Sequence, residues 1–465
     1  MYPYRRPSPL PRILALGAVG IVVGLGVIIL FFGLPRVTVF SPEGDGASSL
    51  APIVITFNQP MQHESVESRF RVEPGMPGVF SWSANTLRFT PGGEWPAGTI
   101  KVTLASGAVS GRGLPLWVES SWEFSVGAPG LAFLLQTNEV ANIWVMSFDG
   151  TEPAQITKET FGVEDFAVSP DGTQIVYVAR RADGGGDLRN ISRDGSTVSD
   201  LLACPDDLCT APVFSFDGLR LAFERHSLAE AGTSQVQVLD LETAQLMSPG
   251  DDESHLTQSP RFARDGRLSY FNRTLQAIAV YDFNARFTTF IPASSGEVGS
   301  WSPDGQFIVY PEIIFPPEPT LAPESTHDPD EEHTDLFYSH LLKVTVATNH
   351  TQNLSGEGVV EDASPVYSPS GGWLAFGRKL LAQDQWTPGK QLWLMRADGS
   401  EAHVLSNEPL RNYSAFVWSP DEKQLVYMRF DVTDPSSLPE LWVVNADGSN
   451  PRLLVAGGYL PEWLP

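Results

Sequence analysis

Positive charge is scarce in this chain. Lys and Arg number 30 against 55 Asp and Glu among 465 residues, a formal charge of -25 with the eight histidines neutral. Such a surface repels phosphate backbones and anionic lipid heads, so nucleic acid is excluded as the main partner. Cysteine is scarcer still. Cys204 and Cys209 are the whole complement, too few for a disulfide scaffold or a thiolate zinc site. The sequence also lacks a Gly-x-Ser-x-Gly elbow, a His-Glu-x-x-His pair, a Gly-rich phosphate loop with its Lys, and EF-hand spacing. It therefore points to no catalytic residue, no metal and no cofactor, and the expectation is a protein that is not an enzyme.

Long apolar runs are as rare, with one exception. Ile13 to Leu34 carries no charge for 22 residues. As a helix it would measure about 33 Å, enough for a bilayer core of roughly 30 Å. Arg5, Arg6 and Arg12 precede it and only Arg36 follows closely, with no small-x-small cleavage site. The pattern predicts a single-pass signal anchor at 13–34 in the cell membrane, residues 1–12 cytoplasmic and the rest extracytoplasmic.

From Val37 to Gly127 the period becomes that of strands. Val37–Phe40, Ile53–Phe57, Arg69–Val72, Val79–Trp82, Thr86–Thr90, Thr99–Leu104 and Trp122–Val126 are short, β-branched or aromatic, and divided by turn residues. About seven strands in this space predict a sandwich. Ile53-Val-Ile-Thr-Phe-Asn-Gln-Pro-Met61, Gly78-Val-Phe-Ser-Trp82, Leu87-Arg-Phe-Thr-Pro91 and Trp122-Glu-Phe124 resemble the bacterial Ig-like domain of the S-layer SbsA type. The resemblance implies a spacer or adhesive module over 37–127, without catalysis.

Residues 128–465 repeat one unit: an aromatic or Val, a Ser-Pro-Asp-Gly turn, then a Leu-Ala-Phe or Ile-Val-Tyr strand. The turns fall at Ser169, Ser215, Ala263, Ser302, Ser368 and Ser419, and the strands after them begin at Ile175, Leu221, Leu268, Ile308, Leu374 and Leu425. Four short strands every 40 to 50 residues make a propeller blade. Leu131-Ala-Phe133 is a second strand without a first, and Leu460-Pro-Glu-Trp-Leu-Pro465 a first strand without a second. Joining them closes a ring of seven blades, with six or eight as alternatives. The units resemble TolB-type (PD40, WD40-like) bacterial propeller repeats, which implies an all-β propeller. The whole chain is thus expected as a transmembrane helix, an Ig-like sandwich and a seven-bladed propeller.

Alternating strand directions put both sets of tight turns on one face and the variable loops on the other, where binding on rigid scaffolds usually resides. Arg180, Arg225, Arg273, Arg378 and Arg429 end second strands on that loop face. They read either as a cationic ring for a uronate or peptide carboxylate, or as structural partners of carboxylates in the same or next blade. Asp171, Asp217, Asp265, Asp304 and Asp421 read as turn residues bonding their own backbone rather than calcium ligands. Cys204 and Cys209 are expected to form a disulfide in a surface loop between blades. The insertion 311–335, rich in Pro and carboxylates, reads as a flap, and its His327 to Asp335 cluster as no metal site. The functional expectation is a membrane-anchored, non-catalytic binding or assembly module for a protein or glycan on the loop face. The alternative is a lyase or hydrolase acting on polysaccharide.

Overall fold

A computed structural model describes residues 33–315 and 338–465, apart from 48, 50, 93, 94, 97, 128, 149–151, 231, 251–253 and 435. The chain divides into two compact units, Met1–Gly127 and Ala128–Pro465. The expected transmembrane anchor is corrected. Residues 1–32, which hold most of the apolar run, lie outside the described residues, and among the described residues no helix is long and apolar enough to cross a membrane. The end of the run belongs to the first unit: the Asn58 and Gln59 side-chain amides donate to the Leu34 and Gly33 carbonyls at 3.0 and 3.1 Å. The described fold is therefore all-β, without a membrane-spanning helix among the described residues. The assignment to the cell membrane with extracytoplasmic domains falls with the anchor.

The first unit consists of two four-stranded sheets. One orders Val37–Ser41, Ile53–Phe57, Thr86–Pro91 and Gly78–Ser83; the other orders Gly44–Ala47, Ser120–Val126, Thr99–Leu104 and Phe70–Glu73. Ile53-Val-Ile-Thr-Phe57 alternates buried and half-buried residues, the period of a strand with one face on a core. Ile53, Ile55, Leu87 and Phe89 of one sheet share that core with Ile100, Val102, Leu104 and Phe124 of the other. Two tryptophans seal its margin, Trp95 donating to the Ala51 carbonyl at 2.8 Å and Trp122 to that of Pro42 at 3.0 Å.

The second unit is a ring of seven blades. Blade 1 combines Gly458–Leu464, Gly130–Thr137, Val140–Ser147 and Ala154–Gln155, so the last strand of the chain is the innermost strand of the first blade. The innermost strands of blades 2 to 7 are Val163–Val168, Asp207–Phe214, Thr257–Phe262, Ser300–Trp301, Val360–Tyr367 and Arg411–Trp418. Seven apolar clusters lie one between each pair of neighbouring blades, the last joining Leu131, Phe133 and Trp463 to Val426, Leu441 and Val443 of blade 7. A blade is thus covered on both faces. That is why second strands such as Ile175-Val-Tyr-Val-Ala179 are buried without alternation.

Three devices recur around the ring. The turn serine accepts and donates at once: Ser215 Oγ donates to Asp217 at 2.5 Å and accepts from the Arg220 N–H at 2.9 Å, and Ser169, Ser302 and Ser419 do likewise. An aromatic residue near the end of the inner strand reaches back one blade. Trp418 donates to the Val366 carbonyl at 3.3 Å, Trp463 to that of Val417 at 3.2 Å, and Trp301 to Ser269 Oγ at 2.8 Å. Finally, the inner strands of all blades but the fifth carry a bulge. In five of them a non-glycine residue holds a positive φ: Ala211, Ser259, Ser364, Ala415 and Leu460. A left-handed non-glycine residue costs on the order of 1 kcal/mol, and at three of the five the freed N–H is caught by an acid that precedes the blade. Ser259 donates to Glu224 at 2.7 Å and Ser364 to Glu297 at 3.2 Å, while the Ala211 N–H serves Asp165.

Candidate functional site: the axial cavity

Each loop-face arginine lies in a separate blade, and four of the five meet carboxylates. Arg378 forms a buried bidentate pair with Asp362 at 2.7 and 2.6 Å, its guanidinium also over Phe376 and Trp393. Arg429 bonds Glu408 at 2.6 Å and Glu440 at 2.9 Å and lies over Trp442. Arg225 pairs with Asp207 and the more exposed Arg180 with Glu164. Arg273 donates to the Gly232 carbonyl at 3.3 Å. Four of the five are thus engaged within their own blades and Arg273 with the loop of the blade before it, and these contacts bring no two of them together.

Cys204 and Cys209 are bonded, with Cα atoms 6.2 Å apart. Their place is not the surface loop expected. Both are buried, in the cluster between blades 2 and 3 with Val178, Leu188 and Phe223. The turn aspartates bond serines and backbone N–H groups as described, except Asp265, which holds Arg267 and its N–H. In blade 5 the second strand runs on to Ile314, taking in the first insertion residues. Residues 316–337, with the His327 to Asp335 cluster, lie outside the described residues. Among the described residues no group of three or more His, Cys, Asp or Glu side chains could hold a metal ion.

A cavity of about 750 Å³ lies inside the ring, between the inner strands of blades 4 to 7. It begins at the bulges, where Ser259, Ser364 and Ala415 line it, and ends at the turns, where Phe216, Arg264, Pro303 and Pro369 line it. The mouth is thus on the tight-turn face, opposite the loops. Phe216 is 51% exposed there, with the Arg264 guanidinium 5.7 Å from its ring centre. Trp301, Tyr367 and Trp418 form the wall. Arg261 and Arg264 are the lining cations. Their guanidinium groups bond backbone carbonyls, Arg261 that of Pro260 at 2.9 Å and Arg264 that of Pro369 at 3.3 Å.

Three acids beside the cavity, Glu297, Asp165 and Glu462, are displaced toward their neutral forms, whereas Asp304 and Asp421 of the turns are held below the ordinary carboxylate range by the hydrogen bonds of those turns. Burial raises Glu297 above the ordinary carboxylate range, against the Ser364 N–H and the charge of Lys390. Beside the seam of blades 1 and 2, burial pushes Asp165 up to about 6 and Glu462 up to about 8. The Asp165 charge raises Glu462 further, while N–H donors and the Arg261 charge oppose the rise at both. The sequence reading missed these residues, although one signal was there. Glu462 occupies the register position held by Val213, Val366 and Val417, each pairing one residue inside its second strand.

These features define a seven-bladed β-propeller with an axial cavity and acids that hold three of its bulges. No protein-family model and no curated protein sequence matches the chain. Among solved structures it is similar to TolB from Acinetobacter baumannii, with 13% identity, a TM-score of 0.43, and coverage of 85% of this chain and 83% of that one. It is also similar to the β-propeller domain of the Trilobed protease from Pyrococcus furiosus, with 10% identity, a TM-score of 0.47 and coverage of 77% and 93%. An oligogalacturonate lyase in complex with manganese has 18% identity, a TM-score of 0.42 and coverage of 62% and 74%. The neighbours thus include both enzymes and non-enzymes, and similarity this low carries no chemistry across. The blade assignment rests on the strand pairing itself. The SbsA-type likeness of the first unit has no counterpart among these matches.

Proposed function

We propose that the chain is a non-catalytic binding module whose propeller receives a protein or glycan partner at the mouth of the axial cavity. The observation that carries this reading is the mouth itself, where an exposed Phe216 and Arg264 stand at the entrance of a cavity large enough for a ligand group. The surrounding carboxylates are occupied elsewhere: Glu297, Asp165 and Glu224 hold bulge N–H groups. Four of the five loop-face arginines are likewise engaged with carboxylates, so the tight-turn face is the better candidate surface.

The test is capture of partners by the immobilised full chain and by Phe216→Ala, alongside a glycan array, with Arg180→Ala as the loop-face comparison. Capture lost in Phe216→Ala, retained in Arg180→Ala and with melting temperature unchanged in both supports the reading. Capture lost in Arg180→Ala alone moves the site to the loop face. Turnover of a polysaccharide or peptide that one mouth substitution abolishes would replace the binding reading with an enzyme.

A further inference from the structure

The cavity has a sign of charge opposite to that of the protein. In a chain of net charge -25, most propeller arginines pair with carboxylates, as Arg181, Arg189, Arg225, Arg267, Arg378 and Arg429 do. The two that line the cavity are different. No carboxylate lies within ion-pair distance of Arg261 or Arg264 among the described residues, and their hydrogen bonds go to neutral carbonyls. A guanidinium stays charged at any physiological pH and presents a planar fork of donors, so it retains capacity for an incoming oxyanion.

We infer that the cavity accepts an anionic group, carboxylate or phosphate, which enters past Phe216 and is held by Arg264 at the mouth and Arg261 deeper in. This rests on the axial cavity being the binding site and adds the class of ligand. The lining supplies little to oppose an anion. Among the described residues Glu297 is its one lining carboxylate, is tied to the Ser364 N–H, and is displaced by burial toward the protonated form. Asp165 and Glu462, the acids that sense Arg261, are displaced the same way. Glu422, whose charge acts on Arg264 and whose carboxylate is bound by Ser370, and the turn aspartates around the mouth are the opposing charges. Four of the aspartates are bound into their own turns by the turn serine, which keeps them at the rim as ions that an entering anion must pass. Phe216 adds an apolar surface beside the charge, a combination suited to an anion carried on a larger ligand.

The experiment is calorimetric titration of the full chain with three probes: acetylated, amidated tri-glutamate, the matching tri-glutamine, and tripolyphosphate. Binding of at least one anion, absence of binding by tri-glutamine, and weakening with added salt are expected. Binding by tri-glutamate alone makes the group a carboxylate, and by tripolyphosphate alone a phosphate. Arg264→Gln should weaken the anion about ten- to hundredfold, the scale of a charge-assisted hydrogen bond. Arg264→Lys should recover part of that, and Arg180→Gln should leave affinity unchanged. Because the Arg261 charge acts on Asp165 and Glu462, Arg261→Gln is read only with its melting curve. Equal binding of tri-glutamine, or indifference to Arg264→Gln, overturns the inference. If the anions fail while a partner sensitive to Phe216→Ala is captured, the anion assignment falls and the binding site stands. If both fail, so does the binding reading.

Discussion

Glu462 is the residue whose cost is most visible. Its carboxyl, raised to about 8 by burial, binds a proton in the folded state that the unfolded chain releases near 4.5. Its contribution to stability is therefore complete below the ordinary carboxylate range and is lost as pH rises through about 8. Asp165 acts in the same direction over a lower window, from 3.8 to about 6. Thermal melts between pH 5 and 9 should show a falling melting temperature, and Glu462→Gln should flatten the upper part of that fall. The free energy at stake is on the order of a few kcal/mol. A wild-type profile flat from pH 6 to 9 would refute it. Arginines divide in the same residue-level way. Arg378→Ala strands Asp362, which is wholly buried, and should cost about 3 to 5 kcal/mol. Arg180→Ala breaks an exposed pair and should cost less than about 1 kcal/mol. Chemical denaturation of the two variants checks the contrast.

At the scale of the element, the tight turn is what made the blades legible. Ser-x-Asp-Gly states its own hydrogen bonding, because a hydroxyl two residues before a carboxylate and a glycine with positive φ can close only a few turns. Asp217→Ala removes acceptors for Ser215 Oγ and the Leu219 N–H, and should lower stability by about 1 to 2 kcal/mol in denaturant melts. Blade 6 manages without that aspartate: Ser368 still accepts the Trp373 N–H, and Ser370 bonds Glu422 of the next blade. The inner-strand bulges were not legible. Ala211-Pro212, Ser259-Pro260, Ser364-Pro365 and Leu460-Pro461 look like ordinary turn dipeptides, and the acids that hold three of the bulges come from other blades. The cavity is hidden for a similar reason. Phe216, Arg264, Trp301 and Trp418 belong to four different repeats, and no local pattern joins them.

For the molecule as a whole, the ring is held where its ends meet. Gly458–Leu464 pairs with Gly130–Thr137, Trp463 opposite Leu131, which joins the two half-blades visible in the sequence. Deleting Gly458–Leu464 strips blade 1 of its inner strand, frees Val417 from Trp463, and opens the cluster with blade 7. The loss should be several kcal/mol, on the scale of a buried tryptophan plus a strand's hydrogen bonds. A truncated chain melting at the full-length temperature would show that the seam is not what holds the ring. The N-terminal anchor stands at the other extreme of legibility: an apolar run of sufficient length gives a span on paper, and the described structure contains no such helix.

That seam also sets a clock. Roughly 330 residues separate Gly130 from Leu464, its partner, and at about 5 to 20 residues per second a ribosome needs on the order of tens of seconds to cover them. Throughout that interval Leu131, Phe133 and their neighbours form a finished hairpin with one bare edge, while six more blades accumulate behind it. A chain in that state is open to pairing with the wrong strand, its own or another nascent chain's. Maturation of this propeller is thus governed by the emergence of its final strand, and a pause in translation before residue 458 would prolong the vulnerable interval more than a pause anywhere within a single blade.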